Sequence, residues 1–164
     1  MRNGALKNLR ERKRKGFTLV ELLIVIIIIG ILAGAMLLVA GSGTDKAEAT
    51  KIVSDLRSLK SAALMAYSDS TPPKWPTTLI SLDQYMDRKV SNQKAADGTS
   101  NRFAFDQNGR YLGYNLTGSS ATIKEKLKGM AKESGLIEGT ASSVSSTDPL
   151  PEYSNGDGVW MKIY

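Results

Sequence analysis

In this sequence of 164 residues, Glu21 is an ionisable residue that directly precedes a long apolar segment. It is flanked by Val20 and Leu22, and the nineteen residues from Leu22 to Ala40 carry no charge. A helix of that length spans about 28 Å at 1.5 Å per residue, which is close to the hydrocarbon thickness of a bilayer. Because an acid at the edge of such a run is costly to bury, Glu21 is a candidate functional residue.

A second group of residues that could do chemistry lies near the end of the sequence. It consists of four side chains with oxygen atoms: Asp148, Glu152, Asn155 and Asp157. Carboxylate and amide oxygens at short spacing are the ligands that Ca²⁺ prefers. The spacing matches no regular calcium loop, so a solvated acidic loop is the favoured interpretation. Calcium binding by Asp148, Glu152 and Asp157 remains the alternative.

Composition excludes most other catalytic and metal-binding chemistry. The sequence has no cysteine and no histidine, which removes disulfides, thiolate metal sites and the commonest general base. It also contains no phosphate-binding loop, no nucleotide fingerprint and no Ser/His/Asp set. We therefore predict that the protein is not an enzyme and that it requires no cofactor.

Two further groups of residues could form binding surfaces. The first is a set of aromatic residues in strand-like segments: Phe103, Phe105, Tyr111, Tyr114, Trp160 and Tyr164. Alternating aromatic residues more often pack in a core than bind a ligand. The second is a set of lysines: Lys124, Lys126, Lys128 and Lys132. They alternate with Glu125 and Glu133, which favours a solvated helix face over a nucleic-acid interface.

The positive charge of the sequence is concentrated before residue 17. Residues 1–16 hold seven basic residues and one acid, whereas the other 148 residues hold fifteen of each sign. The net charge of +6 therefore belongs to this leader. A basic segment before an apolar helix predicts that the leader lies on the cytoplasmic face and the C-terminus outside.

The order of the leader and the apolar run argues against an ordinary secretory signal peptide. Such a peptide has an apolar core of about 7–15 residues, and its cleavage site follows that core. Here the apolar run is longer, and the candidate processing site at Gly16 precedes it. A simple signal anchor with a chance acid is the alternative interpretation.

The residues around this site resemble the type III signal of the type IV pilin family, which includes the pseudopilins of type II secretion and minor pilins. The matching features are a basic leader followed by Gly16, Phe17, Thr18, Leu19 and Glu21. The resemblance covers residues 13–41 and is weak beyond residue 70. It implies cleavage after Gly16 by a prepilin peptidase, N-methylation of Phe17, and assembly through Glu21 into a homo-oligomeric helical filament.

The resemblance implies insertion in the bacterial inner membrane by a single span, and then extraction from the bilayer by an assembly platform. We interpret the chain as a structural subunit of a type IV pilus or pilus-like filament at the cell surface. The alternatives are a major pseudopilin of a periplasmic type II secretion filament, or a minor pilin that binds DNA or a surface. A single-pass membrane sensor is a third class. Major pseudopilins also bind calcium in a C-terminal loop, which keeps that alternative open.

We expect an α+β pilin fold, in which a long N-terminal helix over residues 17–70 packs on a small antiparallel sheet. Thr71 and two prolines end this helix. Lys51 and Asp55 are spaced as an i,i+4 pair on its polar side. An apolar stripe on the second half of the helix is expected to face the sheet: Ile52, Leu56, Leu59 and Ala63.

The remaining elements are predicted from turn and capping signals. Thr122 and Glu125 suggest a capping box, and Gly135 a C-cap. The predicted elements are a short helix over 78–88, a hairpin of 101–106 and 110–116, a helix over 121–134, an exposed loop over 139–151 and a strand over 159–164. The predicted organisation is a cleaved leader (1–16), a membrane and filament-core segment (17–43) and a soluble headgroup (44–164).

Overall fold

The computed structural model describes three ranges of the chain: 16–106, 109–144 and 149–164. Within residues 38–42, only the backbone is described. The basic leader up to residue 15 and the calcium candidate Asp148 lie outside the described residues. The helices are α1 (Leu19–Asp69), a 3-10 helix (Leu79–Tyr85) and α2 (Ala121–Ser134). The strands are β1 (Phe103–Phe105), β2 (Tyr111–Asn115), β3 (Leu136–Gly139) and β4 (Gly158–Lys162).

The long helix predicted over residues 17–70 is confirmed as α1, which runs without a break through its glycines. The chain divides into two compact units between Val39 and Ala40. In the first unit, the segment Leu19–Leu37 is long and apolar enough to cross a membrane, and none of it is buried. Its side chains thus leave an apolar surface for lipid or for other subunits.

The second unit contains a four-stranded antiparallel sheet with the strand order β1-β2-β4-β3. The predicted hairpin is confirmed as β1 and β2, and the predicted last strand is confirmed as β4. Strand β4 lies between β2 and β3, so the end of the chain forms the middle of the sheet. The α+β fold class, with a long helix followed by a small antiparallel sheet, is confirmed.

One face of the sheet shares a hydrophobic core with the second half of α1. The predicted stripe is buried in this core, since Ile52, Leu56, Leu59 and Ala63 are each at most 1% exposed. The sheet contributes alternate residues that point to the same face: Phe103, Leu112, Tyr114, Val159, Met161 and Leu136. The prediction that the helix stripe is covered by the sheet is confirmed.

The opposite face of the sheet is closed by Trp160. Its side chain is completely buried, and its indole N–H donates a hydrogen bond to the carbonyl oxygen of Thr140 at 2.9 Å. Gly113 lies opposite Trp160 in the register of β2 and β4. The predicted exposed loop over 139–151 is therefore wrong at its start, because Gly139 belongs to β3 and the backbone at Thr140 covers the indole ring.

Replacing Gly113 with Val should destabilise the fold by about 1–3 kcal/mol, the usual cost of overpacking a core. A Cβ atom at this position would lie 2.7 Å from three carbon atoms of the Trp160 ring. Gly129→Ala is the control, because nothing lies within 4 Å of a Cβ there and α2 should gain about 1 kcal/mol of helix propensity. Urea denaturation followed by tryptophan fluorescence measures both changes. Equal midpoints for Gly113→Val and the parent protein would contradict this account of the Trp160 face.

The structure tests three predictions of local structure: the two ends of α2 and the short helix before the sheet. The capping box of Thr122 and Glu125 is wrong, because Ser120 is the N-cap and its hydroxyl accepts from the amide of Ile123 at 3.3 Å. The C-cap at Gly135 is confirmed, with the left-handed φ of 64° that favours glycine. The short helix predicted over 78–88 is a 3-10 helix that ends at Tyr85.

Aspartates fix the connection between the short helix and the sheet. Asp55 pairs with Arg88 at 2.6 Å, so the predicted local pair with Lys51 is wrong. Asp83 accepts from the Ser91 hydroxyl and from two amides, and these bonds, with that hydroxyl first, hold its pKa below the usual value. Asp97 accepts from the hydroxyl and amide of Ser100 and from one further amide, which lowers its pKa to about 2. The carboxylates of Asp83 and Asp97 thus replace backbone partners that an irregular segment lacks.

Candidate functional site

The start of α1 is closed by reciprocal hydrogen bonds between Thr18 and Glu21. One oxygen of Glu21, Oε2, accepts from both the amide and the hydroxyl of Thr18 at 2.8 Å. The Thr18 hydroxyl oxygen in turn accepts from the amide of Glu21 at 3.2 Å. This is a capping box, which satisfies donors that the first turn of a helix leaves without partners. The Thr-x-x-Glu spacing signals it in the sequence, but our sequence analysis did not identify it.

The cap leaves the candidate cleavage site outside the helix. Gly16, Phe17 and Thr18 precede the first helical residue, Leu19. The side chain of Phe17 is 91% exposed, and nothing lies within 4 Å of a Cβ atom built on Gly16. A peptidase could therefore bind the Gly16–Phe17 bond in extended form without unwinding α1.

Glu21 retains one carboxylate oxygen for another partner. Its Oε1 atom makes no hydrogen bond to any of the residues that the structure describes, whereas Oε2 is used by the cap. The neighbouring side chains Val20 and Leu22 are apolar and more than half exposed. A cation from a second molecule could therefore reach Oε1 at the edge of an apolar surface, where a charge pair is stronger than in water.

Asp148 lies outside the described residues, so the structure places only Glu152 and Asp157 of the three predicted calcium ligands. Glu152 is exposed, and Asp157 forms an ion pair with Lys124 at 2.6 Å. Within residues 16–106, 109–144 and 149–164, no three acidic side chains are placed to hold a metal ion together. Glu138, which sequence analysis did not consider, is the acid that the C-terminal segment contacts.

The aromatic residues mostly pack in the fold, as predicted. Phe103 and Tyr114 are buried and meet edge to face, with ring centroids 5.3 Å apart. Tyr164 is 44% exposed and stacks on Trp75 at 4.2 Å. Trp75 also stacks on Tyr67 of α1 at 4.3 Å, and sequence analysis predicted neither of these two ring contacts.

Comparisons with known proteins match part of the chain. Residues 12–37 match the family described as "Prokaryotic N-terminal methylation motif". The type II secretion system core protein G of Klebsiella michiganensis is 40% identical over 70 residues, which are 43% of this chain and 48% of that protein. The protein of the same name from Aeromonas hydrophila is 35% identical over 83 residues, or 51% of this chain and 57% of that protein.

A third relative has the same name as the first two. Core protein G of Escherichia coli K12 is 36% identical over 85 residues, which are 52% of this chain and 57% of that protein. The chain thus spans about half the length of the curated relatives it matches. No solved structure matches the chain. The chain carries the N-terminal methylation motif of the pilin and pseudopilin family and is homologous to its type II secretion members. This family is structural and not enzymatic.

Proposed function

We propose that this chain is the major pseudopilin of a type II secretion system, the repeated subunit of a periplasmic filament. The observation that carries the proposal is the similarity to core protein G, which is the name of all three relatives given above. Among the interpretations that the sequence left open, these relatives favour the pseudopilin over a surface pilus or a binding minor pilin. The α+β fold agrees with either kind of filament.

In the proposed sequence of processing and assembly, each segment of the chain has its own role. Residues 1–16 are the cytoplasmic leader, which a prepilin peptidase removes after Gly16 before Phe17 is methylated. Residues 17–43 first span the inner membrane and then pack in the filament core, and their exposed apolar side chains suit both environments. Residues 44–164 form the headgroup outside the membrane, which packs around its own core.

Deleting the gene in its source bacterium tests the filament class. If the chain is a pseudopilin, enzymes that the wild type releases should accumulate in the periplasm of the deletion strain. Surface pili and surface motility should be unchanged. Comparing the proteins of the culture medium and the periplasm measures the first effect, and electron microscopy of the cell surface measures the second. Normal secretion together with lost pili would contradict the pseudopilin assignment and favour the pilus.

Gly16→Leu should abolish processing in the complemented deletion strain. The proposed peptidase reads a small residue directly before the scissile bond, and a leucine side chain adds bulk at that point. The precursor should persist in the membrane fraction, and mass spectrometry should find no peptide that begins at methylated Phe17. Gly30→Ala is the matched control, because Gly30 lies within α1 with open space around its Cβ position. A mature protein made normally from Gly16→Leu would rule out the proposed cleavage site.

A further inference from the structure

Glu138 binds the segment that contains Glu152 and Asp157, two of the three calcium candidates. We call residues 152–157 the C-terminal loop. Oxygen Oε2 of Glu138 accepts from the amide and, at 3.1 Å, from the hydroxyl of Ser154. It also accepts from the amide of Asn155 at 3.4 Å. Oxygen Oε2 of this carboxylate therefore receives three hydrogen bonds from the loop, and such charge-assisted bonds are stronger than those between neutral groups.

The backbone of the loop wraps closely around the same carboxylate. A Cβ atom at Gly156 would overlap with Oε1 of Glu138, so only glycine fits there without a shift. Tyr153 anchors the loop from inside, because its side chain is buried and its hydroxyl donates to the carbonyl oxygen of Gly156 at 3.1 Å. Burial, with the nearby Glu138 and Asp157 charges, raises the pKa of Tyr153 and keeps it a donor.

At the other end of the C-terminal loop, a lysine side chain forms an ion pair with an acid of the loop. Lys124 of α2 contacts Asp157 Oδ1 at 2.6 Å. The Lys124 side chain is only 16% exposed, whereas that of Asp157 is 63% exposed. The carbonyl oxygen of Asp157 accepts from the amide of Leu116 at 2.7 Å, which fixes this end of the loop beside β2.

We infer that the C-terminal loop is held by Glu138 and Lys124 and that it folds without binding Ca²⁺. A calcium ion takes six to eight oxygen ligands, among them carboxylates that bind it through one or both oxygens. Here Oε2 of Glu138 already accepts from three donors, its Oε1 lies against the Gly156 backbone, and Oδ1 of Asp157 is paired with the Lys124 ammonium group. This chain therefore departs from the calcium loop that its family resemblance implies. The inference does not depend on whether the filament is a pseudopilus or a pilus.

Melting of the intact processed protein in detergent tests this inference directly. We expect the same melting temperature in EDTA and in millimolar calcium chloride, and no heat of calcium binding by titration calorimetry. Ligand linkage predicts a rise of several degrees when calcium is about a hundred times above the dissociation constant of a site. A rise of that size, or a saturable binding heat, would overturn the inference.

Two variants test the part of the inference that concerns protein charges. Glu138→Ala should lower the melting temperature by several degrees, equally with and without calcium, because three loop donors lose their acceptor. Glu133→Ala is the matched control, since Glu133 is exposed on α2. Lys124→Gln should also lower the melting temperature, whereas Lys128→Gln, on the exposed side of the same helix, should not. Unchanged melting temperatures of both Glu138→Ala and Lys124→Gln would overturn the inference that these two residues hold the C-terminal loop.

Discussion

Replacing Leu56 with Asp should leave a fragment that lacks residues 1–44 predominantly unfolded at room temperature. Leu56 lies in α1, and its side chain is completely buried in the core that this helix shares with the sheet. Removing the leucine side chain alone costs about 2–5 kcal/mol, and an unpaired buried charge adds several more. A small domain has about 5–15 kcal/mol of stability in total, so the sum is large enough to unfold it. Far-ultraviolet circular dichroism and urea denaturation measure the loss against the parent fragment, which we expect to be monomeric with mixed α and β signal.

The control for this prediction lies two turns further along the same helix. Leu64 is 45% exposed, so Leu64→Asp places its charge in water and should change the midpoint of urea denaturation little. Leu56→Ala should remain folded but lose about 2–5 kcal/mol, which separates the cavity from the charge. If Leu56→Asp and Leu64→Asp melted alike, the stripe would not face the sheet, and the packing of α1 described above would be wrong.

The sequence was most informative where a pattern is local and repeated. The stripe that contains Leu56 recurs over several helical turns, so it predicted both α1 and its buried face. The hairpin of β1 and β2 is likewise joined by a short turn signal. Strand β3 was missed because it has four residues directly after the C-cap of α2, and its partner β4 begins at Gly158. A strand that short is specified by its partner and not by its own pattern.

Contacts between distant residues could not be read from local spacing. Asp55 was assigned to Lys51, four residues away, but it pairs with Arg88 across 33 positions. The space for Trp160 depends on Gly113 of another strand, and neither residue signals the other in sequence. In the candidate site, the family resemblance supplied Gly16 and Phe17, the apolar run beside Glu21 marked that acid, and the capping box came from the structure. The sequence therefore predicts which residues form the N-terminal site, but it does not predict the geometry that leaves Oε1 of Glu21 without a hydrogen bond among the described residues.

Oxygen Oε1 of Glu21, which the helix cap does not use, is available to a neighbouring subunit. In the proposed filament, the Glu21 carboxylate pairs with the Phe17 amine of a neighbouring subunit inside an apolar core. Removing one partner of a buried charge pair costs roughly 3–5 kcal/mol, which corresponds to a loss of at least about a hundredfold in subunit affinity. Glu21→Ala should therefore be cleaved after Gly16 like the parent but yield almost no filament in sheared and pelleted material.

Glu21→Gln separates the charge from the helix cap. Glutamine can replace glutamate in a capping box with Thr18, so it preserves the start of α1 while it removes the negative charge. Loss of the cap alone costs only about 0.5–2 kcal/mol. We expect Glu21→Gln to assemble as poorly as Glu21→Ala, with normal cleavage of both measured by immunoblot. If Glu21→Gln instead formed filaments at the parent level while Glu21→Ala did not, Glu21 would act through its bond to Thr18, and the proposed pairing with Phe17 of a neighbouring subunit would be wrong.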